Sequence, residues 1–222
     1  MPTYRSNAAL LLLGNPSASA PSPPVFRSIT TTSIAGAPTM TITKPSGTVD
    51  NDLLFAAIWV DIGTRTVTPP SGWTVVANKL VNADTAQSRI ITYYKVAASE
   101  GASYGWGFSP SASANGHIMA INNIATTAPL DVQSETQING AGNFVAATVT
   151  TTFANDFLVM ICSTNGGSRS FTPDGAMSER SDDTIIELST QLVAASGATG
   201  SRTAVPSSGS FGWASLAGFK AR

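Results

Sequence analysis

One cysteine and one histidine stand in a chain of 222 residues. A single thiol cannot close a disulfide within the chain, and Cys162 with His117 cannot assemble a Cys/His zinc cluster. Charge is scarce as well: 25 residues are charged, 11% where an ordinary soluble chain has about 25%. The net charge of −1 leaves no basic footprint for nucleic acid and no cationic face for an anionic bilayer. The longest aliphatic run, Ala8 to Leu13, falls far short of the roughly 20 residues that a bilayer-spanning helix needs. No phosphate loop and no usable glycosylation sequon occurs, since Asn15 is followed by Pro16. What remains is small and weakly polar. Ala, Ser, Thr and Gly make up 104 of the 222 residues, while a 42% hydrophobic fraction still supplies an ample core.

The first 27 residues differ from the rest. Tyr4 and Arg5 precede the apolar stretch Ala8 to Leu13, and four prolines then fall between positions 16 and 24. Arg5, the short apolar stretch and Ser17-Ala-Ser-Ala20 have the outline of a secretory signal, although the apolar part is short for one. The reading carried forward is an extended arm, because that proline density permits neither a helix nor a central strand. A tetraleucine at Leu10, Leu11, Leu12 and Leu13 without an amphipathic partner needs a surface to cover it. Tyr4, Arg5 and Leu10 to Leu13 are therefore the candidate partner-binding residues, packing on the chain's own body or on a neighbouring subunit.

From Ser28 onward the period is that of strands. Met40 and Ile42 alternate with threonines, and Tyr104, Trp106 and Phe108 alternate with Ser103, Gly105 and Gly107. Val145, Ala147 and Val149 form a similar series. Leu53 to Val60 and Phe157 to Cys162 are continuous apolar runs, expected of strands buried on both faces. Turn signals separate them, among them Pro45-Ser-Gly47, Pro69-Pro-Ser-Gly72, Pro173-Asp-Gly175 and Pro206-Ser-Ser-Gly209. No stretch carries a sustained helical stripe.

The body also repeats itself. Asn51-Asp-Leu-Leu54 returns as Asn155-Asp-Phe-Leu158, and Gly63-Thr-Arg-Thr-Val-Thr-Pro69 as Gly167-Ser-Arg-Ser-Phe-Thr-Pro173, both at an offset of 104. Lys95 to Ala102 has a counterpart in Gln191 to Ala198. The expected organisation is an arm over 1–27 and a β-domain over 28–222 containing a repeat, 38–124 and 142–222. Each half of about 80 residues has more apolar strand than it can cover alone. The fold class that follows is all-β: a single two-sheet sandwich, jelly-roll-like, built from two related halves, with an extended N-terminal arm.

The order Thr41-Ile-Thr-Lys-Pro-Ser-Gly47, Asn51-Asp-Leu-Leu54, Thr68-Pro-Pro-Ser-Gly-Trp73, Tyr93-Tyr-Lys-Val-Ala97, then the second Asn-Asp-Phe-Leu and Phe171-Thr-Pro-Asp-Gly175, resembles a family of β-sandwich proteins. These are common among bacteriophage structural proteins and occur in some bacterial surface proteins. The resemblance covers roughly 38–222 and implies a virion component, with head decoration or cement ahead of tail or fibre. Its implied partners are the major capsid protein or another virion protein and further copies of the chain, a trimer by analogy. The implied location is the virion, assembled in the host cytoplasm. It supplies no active-site pattern.

The residues themselves point to no enzyme, no cofactor and no metal. His117 starts a strand-like segment without a second histidine, and reads as a turn-flanking or partly buried strand residue. Cys162 ends an apolar strand as a small buried hydrophobe. Asp52 and Asp156, each after an asparagine, read as turn caps rather than calcium ligands. Glu179, Asp182, Asp183 and Glu187 read as a solvated acidic loop. Arg65 and Arg169 read as braces of their turns through backbone carbonyls. Trp73, Tyr104 and Trp106 could stack on a sugar, but alternating aromatics on a strand belong more often to a core. The alternative function is accordingly a carbohydrate-binding or adhesive module of a phage tail or bacterial surface.

Overall fold

A computed structural model describes residues 22–81, 88–140, 142–167 and 169–222. Tyr4, Arg5 and Leu10 to Leu13, the candidate arm residues, lie outside the described residues. Among those described there are sixteen strands and no helix. The first half contains β1 (Val25–Thr43), β2 (Leu53–Val60), β3 (Thr66–Thr68), β4 (Thr74–Leu80), β5 (Arg89–Val96) and β6 (Ser103–Asn122). The second contains β7 (Leu130–Ile138), β8 (Phe144–Ala146), β9 (Thr150–Thr151), β10 (Asp156–Thr164), β11 (Phe171–Thr172), β12 (Ser178–Asp182), β13 (Ile186–Val193), β14 (Gly197–Ala198), β15 (Arg202–Pro206) and β16 (Gly212–Phe219).

Each half builds one antiparallel sheet. The first runs β1-β6-β2-β5-β4, with β3 also on β6, and the second runs β12-β13-β10-β16-β7. Read in reverse, the second order matches the first strand for strand: β7 takes the place of β1, β16 of β6, β10 of β2, β13 of β5 and β12 of β4. Two sequence boundaries shift as a result. Val25 to Arg27 belong to β1 and not to the arm, because Val25 already pairs with Asn122. The second repeat begins with β7 at Leu130 rather than at 142. Between Val132 and Ile138 this edge strand is wholly polar, so it lacks the sustained alternation that marks the other strands.

The two sheets face one another in opposite order. Arg180 of β12 lies over the Phe26 ring of β1, 4.4 Å from its centroid, and Lys79 of β4 pairs with Glu135 of β7. Between the sheets Phe55, Trp59, Met119 and Ile121 pack against Phe157, Val159, Ile161, Trp213 and Phe219. This is the sandwich core. Each fully buried large side chain contributes roughly 1.5–3 kcal/mol relative to exposure.

Both sheets are buried on their outer faces too, and this is why β2 and β10 are apolar without alternation. In the first half, β1 and β6 bend over the sheet they begin. Gly36 at φ +59° and register shifts between Ile34 and Thr39 mark the turn in β1. The far ends then cover the sheet: Trp106 lies 4.9 Å from Tyr93 and 5.4 Å from Trp73, with Met40 and Ile42 in the same layer. In the second half separate short strands form the cover, with order β11-β15-β8, and Phe144 meets Phe171 edge-on at 5.0 Å. Phe144 and Ala146 point inward there and Val145 is exposed, the reverse of the alternation expected from Val145, Ala147 and Val149. The larger Phe144 claims the inside, and β8 ends at Ala146 before the valine series can set the phase.

Gly116 and Gly212 open the last central strand segment of each half for a steric reason. A Cβ on Gly116 would stand 2.5 Å from Met40 Cε and 2.6 Å from Ile42 Cδ1. One on Gly212 would meet the Phe144 ring and approach the Ser163 carbonyl to 2.7 Å. The outer layers come this close only against glycine.

Candidate functional site

His117 is fully buried on the face of β6 that looks toward the second sheet. Its Nε2 lies 2.8 Å from Asp183 Oδ2, and the same oxygen accepts from Asn115 Nδ2 at 2.7 Å. The other oxygen, Oδ1, accepts from the amides of Ile185 and Ile186 at 3.0 and 2.8 Å. Both carboxylate oxygens of Asp183 are thus committed, one to its own turn and one to the opposite half. Burial pushes this carboxyl up, but the hydrogen bond and charge of His117, the Ile186 amide and Asn115 outweigh it and bring it down to about 2. Thr31, Thr32 and Ser33 of β1 line a cleft of about 250 Å³ beside Asn115 and Asp183. The arrangement locks one half onto the other. His117 is thus not a turn-flanking residue but a wholly buried one.

The acidic segment around Asp183 is solvated only at Glu179, while Asp182 and Asp183 are half-buried and Glu187 is buried. Asp182 caps its turn through the Thr184 amide at 2.9 Å and ties it to β11 through the Phe171 amide at 2.7 Å. Glu187 is fully buried beside Ser189 and opposite Cys162 in the β10–β13 ladder. Burial raises its carboxyl to about 8, so it stands as a neutral acid at pH 7. The Cys162 thiol is likewise driven up by burial and by Glu187, which keeps it unreactive. A sequence shows adjacent acids, but not which of them a β-hairpin turns inward.

Asn51 and Asn155 both occupy the left-handed region, at φ 71° and 61°, which explains asparagine at both turns. Beyond that the two turns diverge. Asp52 caps its turn through the Val49 amide at 2.9 Å and forms an ion pair with Arg27 Nε at 2.8 Å. Asp156 is fully buried and faces Asp131 instead. Asp131 drew no notice in the sequence, yet the 104-residue offset that joins the asparagines also carries Arg27 onto Asp131.

Arg169 does brace its turn, donating to Gly166 O at 2.6 Å and Gly209 O at 3.3 Å, whereas Arg65 pairs with Asp61 at 3.0 Å. Arg169, Asn165, Ser210 and the partly exposed Phe211 border a cleft of about 270 Å³ at one end of the second sheet. Trp73, Tyr104 and Trp106 are buried against one another, so they form a core layer and no stacking platform. Among the described residues no three His, Cys, Asp or Glu side chains converge as a metal site.

One surface has the opposite character. β1 closes the first sheet and pairs only with β6 among the described residues, so over its 19 residues it has an outward edge. Arg27 is its only charged side chain, and the arm leads directly into it. Lysines are missing from this edge, and Pro38 and the register shifts at 26–28 and 34–39 are what interrupt it. No family model matches this chain, and no curated protein and no solved structure matches it significantly.

Proposed function

We propose that the chain is a non-enzymatic structural protein of a bacteriophage virion, a decoration or cement protein of the head that holds neighbouring subunits. The observation that carries this reading is the edge of β1. It is long and nearly uncharged, and it continues from an arm whose sequence combines a tetraleucine with closely spaced prolines. Between its register shifts, over Ser28 to Ile34 and Thr39 to Thr43, the edge offers backbone donors and acceptors to a strand of another chain, and an adjoining apolar arm adds buried area to the same contact. The low charge of the chain fits, because charged side chains are costly to desolvate at the centre of an assembly face. The partners in this reading are the major capsid protein or another virion protein, together with further copies of the chain. The turn-capping and sheet-locking roles of Asp182, Asp183 and His117 fit a protein whose polar interior serves cohesion rather than catalysis.

The test is sedimentation with native particles. The chain is expected to travel with them through a salt wash, and removal of residues 1–24 is expected to release it while the sandwich keeps its circular dichroism. Lysines at Thr39 and Thr41, exposed on β1, are expected to weaken the association further. A chain that stays wholly soluble, or a deletion that leaves binding unchanged, overturns the reading.

One observation favours the alternative of a carbohydrate-binding module: the cleft where exposed Phe211 stands near Arg169 and Ser210. A ring and a guanidinium at a loop end can stack on and hydrogen-bond to a sugar. A glycan screen with Phe211→Ala as the control decides it, since specific binding lost in that variant would move the function to the loops.

A further inference from the structure

Arg27 and Asp131 occupy the same place in the two halves. Each sits at a register shift between an edge strand and its neighbour. In β1 the pairing jumps from Phe26↔Ile121 to Ser28↔Ala120, and in β7 from Leu130↔Phe219 to Val132↔Gly218. The bulged residue has no opposite partner, and its side chain reaches past the neighbouring strand to the aspartate at the start of the central one, Asp52 just before β2 and Asp156 at the head of β10. In the first half that contact is Arg27 Nε to Asp52 Oδ2 at 2.8 Å, an ordinary ion pair. In the second half the guanidinium has become a carboxyl group, and two acids face each other where a cation and an acid stood.

The surroundings distinguish the two acids. Asp131 accepts from the Thr152 amide at 2.7 Å and from Thr152 Oγ1 at 2.5 Å, contacts that favour its ionised form. Asp156 is fully buried, and neither of its oxygens accepts from an amide or hydroxyl. The group it meets is Asp131, and the cation nearest the pair is Lys220, which follows β16. Two ionised carboxylates in this setting would repel, and the buried one would lack any hydrogen bond.

We propose that Asp131 and Asp156 hold one proton between them, forming an acid–carboxylate pair that clamps β7 and the Thr152 segment to β10 and opens as the pH rises. Asp156 Oδ donates and Asp131 Oδ accepts. The titration trends agree: burial, then the hydrogen bond and charge of Asp131, bring Asp156 up to about 7 against the pull of Lys220. For Asp131, burial is outweighed by Thr152 and by the bond from Asp156, and it lies lower than an ordinary aspartate. The groups facing the pair are Asp131 on β7, the neutral Thr152, and Lys220.

The sign follows from which state holds the proton. The folded pKa of Asp156 lies above its ordinary 3.8, so between about 4 and 7 the folded chain binds a proton that the unfolded chain has lost. The pair therefore stabilises most at acidic pH, and its contribution is lost as pH rises through that window. Because Glu187 titrates in the same direction, the experiment uses a Glu187→Gln background.

Two readouts test the clamp: melting temperature from pH 4 to 9, and isotope-edited infrared detection of a protonated aspartic acid. The background protein is expected to show one protonated aspartic carboxyl at pH 6 that disappears with a midpoint near 7, alongside a falling melting temperature. Asp156→Asn, which keeps a donor but cannot ionise, is expected to abolish the infrared band and most of the slope. Asp131→Arg, which rebuilds the first half's ion pair, is expected to abolish the band and reverse the slope. No protonated carboxyl at pH 6, or a slope and band unchanged in Asp131→Arg, overturns the proposal, and these readings stand even where Asp156→Asn does not fold. Calcium chloride at pH 8 that restores the melting temperature of the background protein, but not of Asp131→Asn, would assign the pair to a metal ion instead and would equally overturn it.

Discussion

Trp59 Nε1 donates to the carbonyl oxygen of Thr164 at 3.0 Å, a buried hydrogen bond from the central strand of one half to the central strand of the other. Together with Phe55 edge-on to Phe219 at 5.8 Å and His117 against Asp183, it ties the two sheets across their shared core. Neither half retains a covered inner face without the other, so the repeat makes one folding unit. Chemical denaturation should give a single transition by tryptophan fluorescence and circular dichroism alike. Trp59→Phe should lower stability by about 1–3 kcal/mol, because it removes the donor from a buried carbonyl. Two separate transitions would show that the halves fold independently.

Asp183 should carry acid sensitivity. Its folded pKa, about 2, lies below the ordinary 3.8. The stabilisation it provides is complete above about pH 4 and is lost as pH falls toward 2. Asp183→Ala should cost about 3 kcal/mol at pH 7, since it strands fully buried His117 and two turn amides. Asp183→Asn should show a shallower acid transition than the parent when both are followed by circular dichroism.

Glu187 has the opposite sign. Burial raises it to about 8 from an ordinary 4.5, so the folded state favours its neutral form and stability declines as pH rises between those values. Glu187→Gln keeps the shape and removes the titration. Its melting temperature should exceed that of the parent at pH 9 and converge with it near pH 4. Equal melting temperatures throughout would mean that Glu187 does not ionise in the folded chain.

The paired asparagines offer a test of the repeat at backbone level. Asn51 and Asn155 hold φ values of 71° and 61°, where glycine is unstrained and alanine is not. Alanine at either site should cost about 1–2 kcal/mol, and glycine should be close to neutral. Urea midpoints of the four single variants would measure it. Alanine as benign as glycine would remove the conformational reason for asparagine at both turns.

The all-β class and the twofold organisation were legible because both rest on local chemistry. Alternation in Thr39 to Thr43, the doubly buried runs at Leu53 and Phe157, and the asparagine turns each act within a few residues. The burial of Trp106 followed from the same period. Short or sparse apolar signals did not mark a strand: Val25 and Phe26 adjoin the proline-rich arm yet belong to β1, and in β7 only polar residues separate Val132 from Ile138. Asp182 and Asp183 sit between Ser181 and Thr184, so nothing local marks them as partners of buried groups.

The sequence by itself determined strands, turns and the existence of two related halves, since steric preference and side-chain period are properties of short segments. Only the tertiary structure decided which polar groups meet. His117 finds Asp183 because two sheets stack in opposite order, and Asp131 finds Asp156 because a bulge on β7 turns one residue toward the head of β10, beyond the strand it pairs with. Charge pairing depends on distance across the fold rather than along the chain. The sequence offset places a carboxyl at 131 where the first half has a guanidinium at 27, but only the fold brings that carboxyl to Asp156.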